Sequence, residues 1–308
     1  MEEQNLKKGV LLMLSASFLF AVVGACARYL RDDFTSVQMV FFRNLIGIVF
    51  IIYSLIRRPS QHQGGKPLLL IFRGIAGTLA LYAFFYSIAN IGLAEAITYQ
   101  QTYPVFLALF SLVLLGERLY KIEWLAMSIG FGGVLLIFGT GVSLERGSAV
   151  SHSIGLLNAV LTALAYFSVK GLSKYYDTRT IVLSFMSVGV ILPMISMWVG
   201  ESYRFEGLQF LVGKFHMPSD MHWLWLLLLG LSALLGQIFM TKSFYHDRGG
   251  ILGIVGYSNI GFSVFFGVLL GDPFPEFLSC IGIFLIVLAG AIIATRKSGK
   301  GDKSYVSR

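Results

Sequence analysis

Charge is what this chain has least of. Asp, Glu, Lys and Arg make up 13% of its 308 residues, against roughly a quarter in soluble domains. So few charges cannot cover a water-facing surface of this size. Cysteine is scarce as well. Cys26 and Cys280 both fall inside apolar runs, which excludes a disulfide framework or a thiolate metal site and leaves two small buried hydrophobes. No pair of carboxylates lies within the apolar runs to serve as acid and base. His-Glu-x-x-His, a nucleophile elbow, a phosphate-cradling glycine loop with lysine and a soluble nucleotide-binding domain are all missing. The chain is therefore read as not an enzyme, with no cofactor and no metal.

What is present is apolar: 56% of residues are hydrophobic, in runs long enough to cross ~30 Å of hydrocarbon. Ten spans are expected, at 8–28, 36–56, 68–89, 94–114, 122–140, 153–173, 180–199, 222–243, 249–270 and 276–295. Lipid offers backbone groups no hydrogen-bond partner, and the alternation of a barrel strand is absent, so the fold class is an all-α integral membrane protein. Lys7 and Lys8 resemble the basic start of a signal peptide, but the apolar stretch behind them runs to Arg28. A typical signal core is only about 7–15 residues, so the first span is retained.

The net charge of +8 is placed, not scattered. With the N-terminus inside, one face collects 18 of the 24 Lys and Arg, including Lys66, Arg73, Lys170, Lys242 and the tail from Arg296 to Arg308. The other face carries Arg28, Arg31, Arg146, Arg204 and Lys214. The positive-inside rule puts both termini in the cytoplasm, at a cell inner membrane. The basic tail is read as an orientation signal and headgroup contact, with no nucleic-acid partner.

The chain repeats itself. Leu112-Val113-Leu114-Leu115-Gly116-Glu117 and Gly267-Val268-Leu269-Leu270-Gly271-Asp272 stand 155 residues apart, each ahead of a final apolar span. Near the start the offset is 146, pairing Gly9-Val10-Leu11-Leu12 with Gly155-Leu156-Leu157. The difference falls in the loop from Gly200 to Met221, where Phe205, Leu208, Leu211, Val212 and Phe215 have the spacing of an amphipathic surface helix. Residues 1–147 form one five-helix repeat, and residues 148–308 form a second that carries the tail. Five is odd, so the second copy is inverted, the architecture of secondary transporters with a substrate between the halves.

Tyr103-Pro104-Val105-Phe106 through Leu115-Gly116-Glu117-Arg118, the glycine-rich Gly130-Phe131-Gly132-Gly133 and Arg43 within Phe41-Phe42-Arg43-Asn44 resemble the EamA-type branch of the drug/metabolite transporter superfamily. The likeness runs from about residue 8 to residue 296. It implies ten helices and transport of a small molecule, with no particular substrate. The second repeat departs from the first: Asn259 stands where Pro104 stands, and Asp272 replaces Glu117.

Candidate substrate-binding residues follow from what hydrocarbon does not tolerate. Arg43 lies seven residues inside span two, roughly 10 Å along the axis, where an unpaired charge costs at least ~2.5–3.5 kcal/mol; a cavity would give it a carboxylate or phosphate to hold. Span four carries Thr98, Tyr99, Gln100, Gln101, Thr102 and Tyr103 in succession before Pro104. Six polar-capable side chains cannot all face lipid, and Pro104 frees the Gln100 carbonyl, so a distorted helix is expected. Repeat symmetry sets Tyr257, Ser258 and Asn259 against Thr102, Tyr103 and Pro104. Tyr82 and Tyr86 of span three, Asn158 and Tyr166 of span six and Gln237 of span eight complete the wall. The full set is Arg43, Tyr82, Tyr86, Tyr99, Gln100, Tyr103, Asn158, Tyr166, Gln237, Tyr257 and Asn259. Local packing of the tyrosines remains an alternative for each.

Together they describe an aromatic and amide-lined cavity for a zwitterionic or planar metabolite, moved by alternating access. The partners expected are the lipid bilayer, a small-molecule substrate, and a proton or an exchange counter-substrate, with the protein a monomer or a homodimer. A lipid or lipid-linked metabolite flippase and an intramembrane lipid enzyme are the alternatives.

Overall fold

Apolar runs of about twenty residues leave the backbone one way to satisfy its own polar groups, and the computed structural model is helical throughout its regular elements. It describes residues 2–30, 32–60, 64–90, 93–115, 120–139, 149–202, 211–246, 249–270 and 277–294. Among them are twelve helical segments: α1 (Glu2–Leu30), α2 (Ser36–Arg57), α3 (Pro67–Asn90), α4 (Leu93–Gln100), α5 (Tyr103–Leu115), α6 (Lys121–Gly139), α7 (Ala149–Leu172), α8 (Thr178–Ser202), α9 (Asp220–Ser243), α10 (Gly249–Gly256), α11 (Ser258–Leu269) and α12 (Phe277–Ala294). Seven stretches are long and apolar enough to cross a membrane by length and composition; Tyr103–Leu114 and Cys280–Ala289 are shorter apolar helices.

All ten expected spans coincide with helix, but two are broken. Span four is α4 plus α5, interrupted at Gln101 and Thr102; span nine is α10 plus α11, interrupted at Tyr257. Thr102 and Tyr257 are 155 residues apart, the repeat offset itself. At the first break the bonds tighten to three-residue steps, from Thr102 N–H to the Tyr99 carbonyl (3.0 Å) and Val105 N–H to the Thr102 carbonyl (3.1 Å). Proline supplies the cause, because it has no N–H to give to Gln100. At the second, Tyr257 N–H bonds the Ile254 carbonyl (3.2 Å) and Ile260 N–H the Tyr257 carbonyl (3.0 Å).

The packing of the unbroken helices is largely preserved when the halves are exchanged. α1 lies on α9 as α7 lies on α3, α2 on α9 as α8 on α3, and α1 on α11 as α7 on α5. α2 with α8 and α6 with α12 each join a helix to its own counterpart. The broken helices depart from the rule: α5 packs firmly on α10 and α4 on α3, whereas the counterpart pairs α4/α11 and α9/α10 do not close in the same way. The core is thus sealed at the α5/α10 end and looser at the other.

The loop before α9 is no helix over residues 211–219. It is pinned instead to the start of α2, where the Gln38 amide accepts from His216 N–H (3.0 Å) and donates to the His216 carbonyl. Phe205 and Leu208 of the expected amphipathic helix lie outside the described residues, as do both Gly-acid signatures (Gly116-Glu117 and Gly271-Asp272), the boundary between the repeats at 147/148 and the tail from 295.

Candidate functional site

Between the two broken helices lies a cavity of about 110 Å³, well above the minimum of ~10–15 Å³ that admits a water. Seven of the sequence-predicted residues line it: Arg43, Gln100, Tyr103, Asn158, Tyr166, Gln237 and Asn259. They reach it from both halves, on α2, α4, α5, α7, α9 and α11. Asn259 links the breaks, accepting from the Gln101 amide (3.4 Å) and donating to the Ser17 carbonyl of α1 (2.8 Å). The Asn158 amide donates to the Ala80 carbonyl of α3 (2.6 Å). Tyr103 and Tyr166 meet edge to face at 5.2 Å.

The other four predicted residues do not line the cavity. Tyr82 turns to α8, its hydroxyl 3.2 Å from Ser196 Oγ. Tyr86 is half-buried outside the wall. Tyr99 bonds His152 Nδ1 (3.0 Å) and fills the space that Gly155 leaves on α7, where a Cβ would meet its ring at 2.7 Å. Tyr257 does the same at Gly130 on α6, also at 2.7 Å. These rings are pegs in glycine holes, used for close helix approach.

Arg73 is the residue sequence reasoning missed. The charge tally assigns it to the inner surface, yet it is 1% exposed and lines the cavity. The signal was there: Lys66 already anchors the interface, and Arg73 sits seven residues further in, roughly 10 Å deeper at 1.5 Å per residue, much as Arg43 lies seven residues inside α2. Gln101, Ser17, Thr162 and Ser263 also line the wall, with Phe20, Phe84, Phe85 and Phe185 as its apolar part. Several buried polar atoms here have no hydrogen-bond partner: Nε of Arg43 and Arg73, Oε1 of Gln101, Oδ1 of Asn158 and Nε2 of Gln237. Such groups are costly to desolvate and leave unpaired, which marks a site built for a polar ligand.

The cavity is closed at one end and continued at the other. At the closed end a Cβ on Gly256 would sit 1.9 Å from Tyr103 Oη, and one on Gly253 3.1 Å from Pro104 Cβ. At the other, Gly24, Ile97 and Ser263 belong both to the cavity and to a narrower continuation that reaches Arg28 at the C-terminal end of α1.

A membrane bundle whose cavity lies where two helices break, with walls from both halves, belongs to the class of secondary transporters. Comparison with known proteins carries this to a family. Residues 7–139 match the EamA-like transporter family. The chain is 33% identical over 298 residues to the pseudopaline exporter CntI of Pseudomonas aeruginosa, covering 96% of this chain and 98% of that one. It is 32% identical over 290 residues to an uncharacterized transporter of Helicobacter pylori (93% and 94% covered) and 25% identical over 308 residues to solute carrier family 35 member G1 of Mus musculus (96% and 80% covered). A protein crystal structure shares the fold with a TM-score of 0.72 at 20% identity, covering 92% of this chain and 95% of that one. The chain belongs to the EamA-like family of the drug/metabolite transporter superfamily, and it is a transporter of a small metabolite rather than an enzyme.

Proposed function

We propose that the protein is an inner-membrane permease or exporter that moves a small polar or zwitterionic metabolite, of amino-acid type, by alternating access, with both termini cytoplasmic. The observation that carries this reading is the set of unpartnered buried polar atoms from four helices of both halves and from the α4/α5 break itself, gathered where α4/α5 and α10/α11 break. Arg43 supplies a planar fork for a carboxylate, and Gln100, Asn158 and Gln237 offer both donors and acceptors to an ammonium or amide. An exporter among the relatives supports the outward direction. A cavity of about 110 Å³ favours a small metabolite over a lipid with acyl chains.

The test begins with a thermal-shift screen of purified protein against amino acids, nucleosides, vitamins and carboxylates, followed by flux of each stabilising compound in proteoliposomes. Arg43→Ala and Gln100→Ala should abolish that flux while the protein remains monodisperse in detergent. Undiminished flux in both variants removes the site; flux of a labelled lipid instead makes the protein a flippase.

A further inference from the structure

Two guanidinium groups reach one cavity from different helices, and no acid among the described residues lines it with them. Arg43 of α2 is 3% exposed and Arg73 of α3 is 1% exposed. Their guanidinium carbons lie 5.5 and 4.5 Å from the centroid of the same ring, Phe185 of α8. They are therefore at most about 10 Å apart. Tyr166 is the electrostatic neighbour of both. Among the described residues the wall contains no Asp or Glu and neither arginine has an ion-pair partner, and the Nε of each has no hydrogen-bond partner. Arg43 donates to Asn44 Oδ1 over a long 3.4 Å.

Like charges held this close in a low-dielectric interior repel, and each carries its own desolvation cost. Contact with an aromatic face returns only part of it. Yet the backbone makes room for the pair: a Cβ on Gly77, one turn beyond Arg73 on α3, would lie 2.2 Å from Arg73 Nη1 and 2.7 Å from the Phe185 ring. A fold that clears space for a second buried, unneutralised arginine beside the first has a use for two positive charges.

We propose that Arg43 and Arg73 form a two-pronged clamp across Phe185 for a substrate bearing two negative charges on oxyanion groups, a dicarboxylate or a phosphate ester. The proposal rests on the transport reading above and sharpens it: one carboxylate of an amino-acid-type substrate meets Arg43 and a second anionic group meets Arg73. Bidentate pairing of each fork to an oxyanion accounts for arginine rather than lysine at both positions.

The experiment compares probes that differ by a second carboxylate: alanine with aspartate, butyrate with succinate, and glycerol phosphate beside them. Thermal shift and proteoliposome uptake are measured for wild type, Arg73→Gln and Gly77→Ala. Aspartate or succinate should stabilise the wild type at concentrations at least tenfold below those of alanine or butyrate, and Arg73→Gln should erase that ratio. Gly77→Ala, which displaces the guanidinium but keeps its charge, should weaken it. A response to glycerol phosphate alone identifies the dianion as a phosphate and supports the clamp. Equal response to the one- and two-charge members overturns the clamp, and uptake of either leaves transport standing.

Ligand-free stability decides the case in which none of the probes binds. Arg43→Met and Arg73→Met each remove an uncompensated buried charge at similar volume, so their melting temperatures should rise by roughly 2–4 °C. A fall in both variants shows arginines that are structurally paired and overturns the proposal.

Discussion

Gly256 is the position at which a single methyl group should change the balance between the two access states. It ends α10, and its α carbon faces Tyr103 so closely that a Cβ would lie 1.9 Å from the Tyr103 hydroxyl, 3.2 Å from Cζ and 3.3 Å from Met13 Cε. Tyr103 has little freedom to retreat. It is 5% exposed and packed edge to face on Tyr166 at 5.2 Å. Overpacking of this kind costs about 1–3 kcal/mol. The cost falls on the state described above, in which α5 and α10 are closed, and is absent once they separate. The equilibrium between the states should shift about 5- to 150-fold away from the closed α5/α10 contact.

The reporter is Ser263→Cys in a background of Cys26→Ala and Cys280→Ala, since Ser263 lies where the cavity meets its continuation toward Arg28. A membrane-impermeant maleimide should label it from the Arg28 side, more slowly in Gly256→Ala. Adding Tyr103→Phe removes the atom at 1.9 Å, leaving the ring carbon at 3.2 Å, and should restore most of the rate. Unchanged labelling in Gly256→Ala, or no restoration by Tyr103→Phe, refutes the reasoning.

Three further outcomes follow. The Asp177 carboxyl accepts from Thr180 N–H (2.9 Å) and pairs with Arg179 (3.2 Å) ahead of α8; burial raises it, but the Thr180 hydrogen bonds and Arg179 prevail and hold it below the ordinary carboxylate range. Asp177→Ala should therefore lower stability by about 1 kcal/mol near neutral pH, a deficit present above ~3.9 and lost as pH falls through the lowered folded value, read from melting temperature against pH. Tyr99 is a peg rather than a ligand, so Tyr99→Phe should leave proteoliposome flux intact and cost about 0.5–1.5 kcal/mol of stability for the lost His152 bond, whereas Gly155→Val should cost about 1–3 kcal/mol. Finally, two unneutralised guanidinium groups oppose closure of an empty cavity, so exchange of labelled for unlabelled substrate should outpace net efflux by about tenfold or more if closure differs by at least about 1.4 kcal/mol.

The helices were legible because apolar runs and lipid leave no other backbone solution, and the first helix break was legible because Pro104 cannot bond Gln100. The second break has no proline. Asn259 stands at that position, and the interruption at Tyr257 follows only from the repeat. Side-chain direction was harder. Tyr82 and Tyr86 share a face at i, i+4, but spacing alone does not say whether that face meets a cavity or, as at Tyr82, Ser196 of α8. Tyr99 and Tyr257 look like ligands until Gly155 and Gly130 are seen opposite them. Arg73 was hidden for the converse reason: a positive charge near a span end satisfies the positive-inside rule, and only the rotation of α3 turns it inward.

The duplicated and the unduplicated features of the chain do different work. Breaks, glycine holes and helix pairs occur in both halves, and such duplication supplies two arrangements of similar energy between which a transporter can move. The two cavity arginines occur once. An offset of 146 sets Arg43 against Gly189, which leaves room for the Asn44 amide. Any offset from 146 to 155 sets Arg73 within 219–228, where there is no lysine or arginine. Both guanidinium groups therefore belong to the first half, while the ring between them, Phe185, belongs to the second. Any rocking of one half against the other must change the arginine–Phe185 contacts. A bound dianion that holds both arginines at once is differentially placed to favour the arrangement in which they converge, which is the condition for a ligand to shift a conformational equilibrium at all.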